Sequence, residues 1–127
     1  RAAVEEFLRY DSPVQLTDRV AKEDLEIDGH RIRRGQLVGV VLGAANRDPE
    51  VFEAPDELRC DRGEVPHLAF SHGVHFCLGA QLARLETEIA IGRLLERFPD
   101  FSGPVEPTER KRSIVLRGPT RLPLRLR

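Results

Sequence analysis

The chain has 127 residues, of which 40% are hydrophobic and 32% charged, with a formal net charge of −1 at pH 7. That length suits one modest domain, and near-neutrality argues against a general nucleic-acid binder. No apolar run approaches the roughly 20 residues of a membrane-crossing helix and no signal peptide is visible, so no membrane partner is expected; the two cysteines make no secreted-type disulfide framework and point to a reducing, cytoplasmic compartment.

Ala2 to Tyr10 has helical spacing, with Val4, Phe7 and Leu8 on one side and no N-cap residue ahead of it. The chain lacks Met and starts inside this pattern, so a longer protein extending upstream of Arg1 is expected. Ser12-Pro13 ends the helix, because the residue before a proline is pushed out of the helical region. From Val14 the pattern is short and extended. Leu25 to Ile32 reads as a hairpin, with Asp28-Gly29 supplying the positive φ angles of a tight turn.

Gln36 to Ala45 is the most continuous apolar run, expected to enter a core as a strand and then turn into a short helix. Asn46 to Pro66 carries three prolines and many charges with little periodicity. It reads as a long meandering loop, and long ordered loops tend to be functional. From Leu78 to Phe98 the residues Leu82, Leu85, Ile89, Leu94, Leu95 and Phe98 keep helical spacing, and Pro99 ends that helix. The tail from Ser113 has two strand-like runs about Gly118-Pro119, predicted to form a hairpin. Between Arg110 and Arg127 lie seven basic residues and no acidic one. Alternating Arg and Leu gives a strand with one wet face, and no aromatic residues interleave as a nucleic-acid tail would require.

The stretch AFSHGVHFCLGAQLARLE (Ala69 to Glu86) sets Cys77 at the mouth of the long helix, between Gly73 and Gly79, with His75 two residues before it. A thiolate there is favoured by the free N–H groups of Leu78, Gly79 and Ala80 and by the positive end of the helix dipole. Gly79 would let the backbone approach the sulfur, Gly73 would permit a sharp bend, and Phe70 would pack beside the sulfur and restrict water. Such a ligand suits a metal whose reactivity depends on electron donation from sulfur. Cys60 reads as a small buried hydrophobe and His72 as a solvated loop residue. A zinc site drawn from Cys60, His67, His72, His75 and Cys77 fits no compact zinc spacing.

Phe70-x-x-Gly73-x-x-x-Cys77-x-Gly79 resembles the haem-ligand signature of the cytochrome P-450 superfamily, and AQLARLE is similar to the start of the proximal helix in its soluble bacterial members. The resemblance implies that Cys77 is the axial thiolate of haem b (iron protoporphyrin IX), pushing electron density toward O–O cleavage. It implies His75 and Arg19 as partners of the haem propionates, with Phe70, Gly73 and Gly79 completing the cofactor loop. Ser71 stands where bacterial members usually carry Gly, and a slightly stiffer loop with no lost function is expected. Glu6-x-x-Arg9 occupies the place of the family's Glu-x-x-Arg pair; residues three apart share a helix face, and the implied role is structural, locking the helix to the meander behind the haem. The family's third, basic partner would fall on Glu57, so Arg59 or Arg62 is expected to substitute. GAANRDP (Gly43 to Pro49) is similar to a further stretch of the same members.

By this resemblance residues 1–127 form the C-terminal part of a single domain with an α+β, mainly helical parent fold. Two main helices, short β-hairpins, a meander and the cysteine haem-ligand loop are expected. The implied function is that of a haem-thiolate monooxygenase, inserting one atom of O2 into a small organic substrate. Electrons would come from NAD(P)H through a reductase and a ferredoxin-type donor, docking near His72, Arg59, Arg62 and Arg84. The family's central helix, with its acid–alcohol pair, is expected upstream of Arg1, so the chain alone should neither hold haem fully nor hydroxylate. Substrate contacts are expected only at Val14, Gln15 and Leu16 and near Val115 and Leu116. Two other readings stay open: a haem-binding or electron-transfer module without oxygenase activity, and an inactive truncated relic.

Overall fold

The computed structural model describes residues 1–104, 106 and 108–127. Helix α1 (Ala2–Tyr10) forms as the spacing predicts. Its inward positions, however, are Val4 together with two charged residues, Glu6 and Arg9, while Phe7 is 37% exposed. Of the apolar side, Val4 is buried and Leu8 half-buried on the cavity, and the Glu6–Arg9 ion pair is buried beside them. At the C-terminal end Asp11 N–H donates to the Phe7 carbonyl (3.0 Å) and Ser12 Oγ to the Leu8 carbonyl (2.6 Å). These bonds close the last turn where Pro13 cannot continue it.

Strand β1 (Thr17–Val20) pairs antiparallel with β4 (Leu37–Val40), Thr17 opposite Val40 and Val20 opposite Leu37. Between them β2 (Leu25–Ile27) and β3 (His30–Ile32) form the expected hairpin, its turn made by Asp28 (φ 50°) and Gly29 (φ 76°). The short helix α2 (Leu42–Ala45) follows β4 directly, also as expected. The apolar run enters the core only at its end: Leu42 is buried, whereas Leu37 and Val41 are exposed. The described strands form two separate two-stranded ribbons, β1 with β4 and β2 with β3.

The meander carries turns alone as far as a single 3-10 turn at Gly73–His75. Helix α3 (Ala80–Arg97) starts two residues later than the sequence suggests, because Ala80 N–H closes a turn onto the Cys77 carbonyl at 3.2 Å. Helix α3 packs on α1, but Leu82, Leu85 and Ile89 stay exposed, so its apolar stripe exists without a cover among the described residues.

The tail differs from its prediction. Lys111 N–H donates to the Gly118 carbonyl and Thr120 N–H to the Glu109 carbonyl, so residues 109–111 run beside 118–120. The turn therefore lies within 112–117, where Ser113 Oγ accepts the N–H groups of Val115 and Leu116, and Gly118-Pro119 sits on the returning arm. Pro119 tolerates that arm because the ladder asks its neighbours, not its own missing N–H, to bond. The turn then reaches back to the start of β1. Gln15 N–H meets the Val115 carbonyl and Arg117 N–H the Pro13 carbonyl, each at 2.8 Å. No helix among the described residues is long and apolar enough to cross a membrane.

Candidate functional site

The cysteine loop is closed by one backbone bond, Cys77 N–H to the Phe70 carbonyl at 2.9 Å, with Phe76 N–H turned onto the Gly73 carbonyl inside it. Gly73 takes φ 64°, the bend its identity predicts. Ser71 takes φ 62° without being glycine, which costs of order 1 kcal/mol. Cys77, Phe70, Ser71 and His75 line one side of a cavity of about 470 Å³. Leu8, Val14 and Leu42 give it apolar walls, and Arg19 enters from β1. Residues 58 positions apart in the chain, Arg19 and Cys77, thus face one space.

The sulfur's surroundings differ from expectation in one respect. No hydrogen bond to Cys77 Sγ is made among the described residues, and Ala80 N–H donates to the Cys77 carbonyl instead. The side chain is exposed. A Cβ built on Gly79 would lie 4.0 Å from Sγ, an ordinary contact, so this glycine leaves room beside the sulfur without being sterically required. Cys60 is also exposed, correcting its reading as a buried hydrophobe: it sits between Arg59 and Asp61 in the charged meander, where no apolar layer receives it. Among the described residues no three His, Cys, Asp or Glu side chains gather as a metal-holding group.

Arg19 Nη1 donates to Thr17 Oγ1 (3.1 Å) and to the Asp18 carbonyl (2.8 Å), while Nη2 lies 3.5 Å from Ser71 Oγ. No carboxylate of the described residues forms an ion pair with it. His75 is exposed on the same cavity.

Behind the loop lies a buried polar clamp. Arg9 grips Glu6 bidentately, Nε to Oε2 at 2.7 Å and Nη2 to Oε1 at 2.8 Å, and both side chains are fully buried. Its remaining N–H groups donate to the carbonyls of Asn46 (2.9 Å), Pro55 (2.7 Å) and Glu57 (2.9 Å). The third basic partner is Arg62, whose Nε reaches Glu6 Oε1 at 3.3 Å; Arg59 contributes only its backbone N–H, at 2.8 Å. Glu57, at the position the resemblance assigned to the basic residue, supplies its carbonyl instead. Burial alone would raise the Glu6 pKa, but the bonds from Arg9, the Arg59 N–H and Arg62 outweigh it and hold it at about 2.

Two groups were not legible beforehand. Asn46, fully buried, donates from Nδ2 to Ser12 Oγ (2.7 Å) and accepts Leu68 N–H at Oδ1 (2.6 Å). Glu5 accepts a bidentate bond from Arg84 (2.7 and 2.9 Å) and meets His67 Nε2 at 3.0 Å. His67 Nδ1 accepts Ala69 N–H, which leaves the proton on Nε2 facing Glu5. Burial lowers the His67 pKa, and the Glu5 carboxylate only partly offsets that. The Arg84 guanidinium also lies 4.7 Å from the Phe70 ring centroid, backing the cysteine loop. These partners lie more than 60 positions apart, beyond any local pattern. They also correct the docking expectation, because Arg62 and Arg84 are committed to Glu6 and Glu5 and are largely buried.

The sequence profile of the family described as Cytochrome P450 matches residues 1–123. The chain is 56% identical over 100 residues to a biotin biosynthesis cytochrome P450 of Bacillus subtilis (strain 168), covering 79% of this chain and 25% of that protein. It is 50% identical over 126 residues to cytochrome P450 107B1 of Saccharopolyspora erythraea, covering 97% of this chain and 31% of that one. The structure of P450BioI in complex with hexadec-9Z-enoic acid ligated acyl carrier protein superposes with a TM-score of 0.95 at 47% identity, over 99% of this chain and 33% of that one. The chain thus spans between a quarter and a third of the relatives it matches. With the cysteine loop, the clamp and the match over nearly its whole length, the chain belongs to the cytochrome P450 family.

Proposed function

We propose that Cys77 would supply the thiolate ligand of haem b and that the whole protein is a haem-thiolate monooxygenase acting on a small organic substrate. The observation that carries this reading is the shared cavity: Cys77, Arg19, His75 and Phe70 line one space with Leu8, Val14 and Leu42. The donor set fits the group. A soft sulfur suits iron, aliphatic and aromatic walls suit a porphyrin face, and Arg19, which has no carboxylate partner among the described residues, suits an anionic propionate. Bound there, haem supplies the oxygen chemistry, with thiolate donation favouring O–O cleavage.

Each residue then has a bounded task. Cys77 supplies the sulfur ligand, and Phe70, braced by Arg84, limits water beside it. Arg19 and His75 hold the propionates. Gly73 makes the bend that brings Cys77 back to the Phe70 carbonyl, and Gly79 keeps space clear near the sulfur. Glu6 and Arg9 act structurally, fixing α1 to the meander. The edge where Val14 pairs with Leu116 would touch substrate.

Electrons would come from NAD(P)H through a reductase and an acidic ferredoxin-type donor in the cytoplasm. The donor would use the exposed side of the cysteine loop, with His72 and the half-exposed Arg59 rather than Arg62 or Arg84. The test is the ferrous carbonmonoxy spectrum of the full-length protein. It should carry the strongly red-shifted Soret band of thiolate ligation, lost in Cys77→Ala and kept in Cys60→Ala. An unchanged band in Cys77→Ala would overturn the assignment.

A further inference from the structure

The cysteine loop holds one residue in a conformation its side chain resists. Ser71 adopts φ 62°, and glycine would sit there without strain. Its Cβ points a hydroxyl at the cavity, beside Arg19 Nη2 at 3.5 Å. In that pair the hydroxyl oxygen accepts. Its own hydrogen has no acceptor among the described residues. Arg19 is fixed from behind by Thr17 Oγ1 and the Asp18 carbonyl, both on Nη1. Its Nε–H and the second Nη2–H have no acceptor among the described residues either. Two adjacent donors, one charged and one neutral, therefore share the same half-buried corner of the cavity with nothing among the described residues to receive them.

We propose that Ser71 is a cofactor-anchoring residue: its hydroxyl donates to the same haem carboxylate that Arg19 pairs with, so that the two groups form one carboxylate-binding corner. The inference rests on the haem reading above and adds to it a residue at which a strained backbone is retained for the sake of its side chain. A carboxylate has acceptor sites enough for both donors. A hydrogen bond to a charged acceptor outweighs one between neutral groups, so its loss should be measurable against the relief of strain.

The experiment uses the full-length holoprotein and reads haem release by transfer to excess apomyoglobin. Ser71→Ala and Ser71→Gly are compared with the parent protein, each loaded with native haem and with haem dimethyl ester, whose carboxylates are blocked. With native haem both variants should release it roughly tenfold faster than the parent. With the ester, variants and parent should release it alike, because the hydroxyl then has no carboxylate to meet. Equal release with native haem, or the same acceleration with the ester, overturns the role of Ser71. Ser71→Gly decides the matter if Ser71→Ala yields no holoprotein, since glycine adopts this φ freely. The carbonmonoxy band of the parent separates the two claims. Its absence refutes the thiolate reading, whereas a normal band with unaltered haem release refutes only the anchoring corner.

Discussion

Arg62 Nε lies 3.3 Å from Glu6 Oε1, so the meander returns a second guanidinium to the carboxylate that Arg9 already grips from the same helix. Arg62 is in turn held by carbonyls of the meander itself, those of Glu53, Ala54 and Glu57. The loop has no regular secondary structure, and these two arginines replace it as the means by which the backbone oxygens are satisfied.

Glu6→Ala would leave Arg9 buried without its counter-charge, a loss of about 3–5 kcal/mol. Arg62→Ala should remove about 1–2 kcal/mol, while Arg59→Ala should be close to neutral because only its backbone N–H reaches Glu6. Urea unfolding of the full-length protein measures all three, together with haem occupancy. An Arg62→Ala variant as stable as the parent would remove Arg62 from the clamp.

Acid should act on the same carboxylate. The Glu6 pKa is held at about 2 against an ordinary value of 4.5. The folded form thus binds its proton later than the unfolded form. The resulting stabilisation is complete above pH 4.5 and drains away as pH falls toward 2, amounting to about 3 kcal/mol. Glu6→Gln should flatten that part of the stability profile. A profile between pH 5 and pH 3 equally steep in parent and variant would contradict it.

Charge reversal separates packing from docking. Arg84→Glu would set a carboxylate against Glu5 and remove the brace on Phe70, so a fall in stability and haem retention is expected. Arg59→Glu, at a side chain 37% exposed, should leave the fold intact and slow first-electron transfer from an acidic donor, most of all at low salt. Stopped-flow reduction at two ionic strengths reads this directly. Salt-independent reduction would exclude this face.

Residues 1–127 expressed alone should bind hemin weakly and give no sharp thiolate band. Leu82, Leu85 and Ile89 on α3 and Leu37 and Val41 beside the ribbon are exposed, an apolar surface that favours aggregation or loose packing. Hydrogen exchange and a carbonmonoxy spectrum of this chain check it. Tight thiolate-bound haem in a monomer with protected core amides would refute the expectation.

The sequence was most informative where a local rule had one solution. Asp28-Gly29 demanded its hairpin turn, Ser12-Pro13 stopped α1, and the motif from Phe70 to Gly79 carried the family resemblance on which Cys77 is proposed as the sulfur ligand. It was least informative where distant segments meet. Nothing near Thr17 announces Leu37 as the far end of its partner strand, and nothing near Glu5 announces Arg84. The third partner of Glu6 could be narrowed to two arginines by proximity, but the choice between a backbone N–H from Arg59 and a side chain from Arg62 is made by the path of the meander. The apolar preference of a lone cysteine points inward for Cys60, whereas its neighbours Arg59 and Asp61 keep that part of the loop in water. In the tail Gly118-Pro119 is strong turn punctuation, yet the turn forms at Ser113, whose Oγ accepts two successive N–H groups.

Asn46 joins Ser12 at the end of α1, Leu68 at the approach to the cysteine loop and, through its carbonyl, Arg9. One residue, through its side-chain amide and its backbone carbonyl, therefore joins three segments, and opening any of them leaves donors or acceptors of another unmet. Helix α1, the meander and the base of the cysteine loop should open as one cooperative unit, sharing a single free energy of hydrogen exchange. Breathing of the loop that carries the thiol is then as rare as melting of a helix, although the sulfur itself lies at the surface.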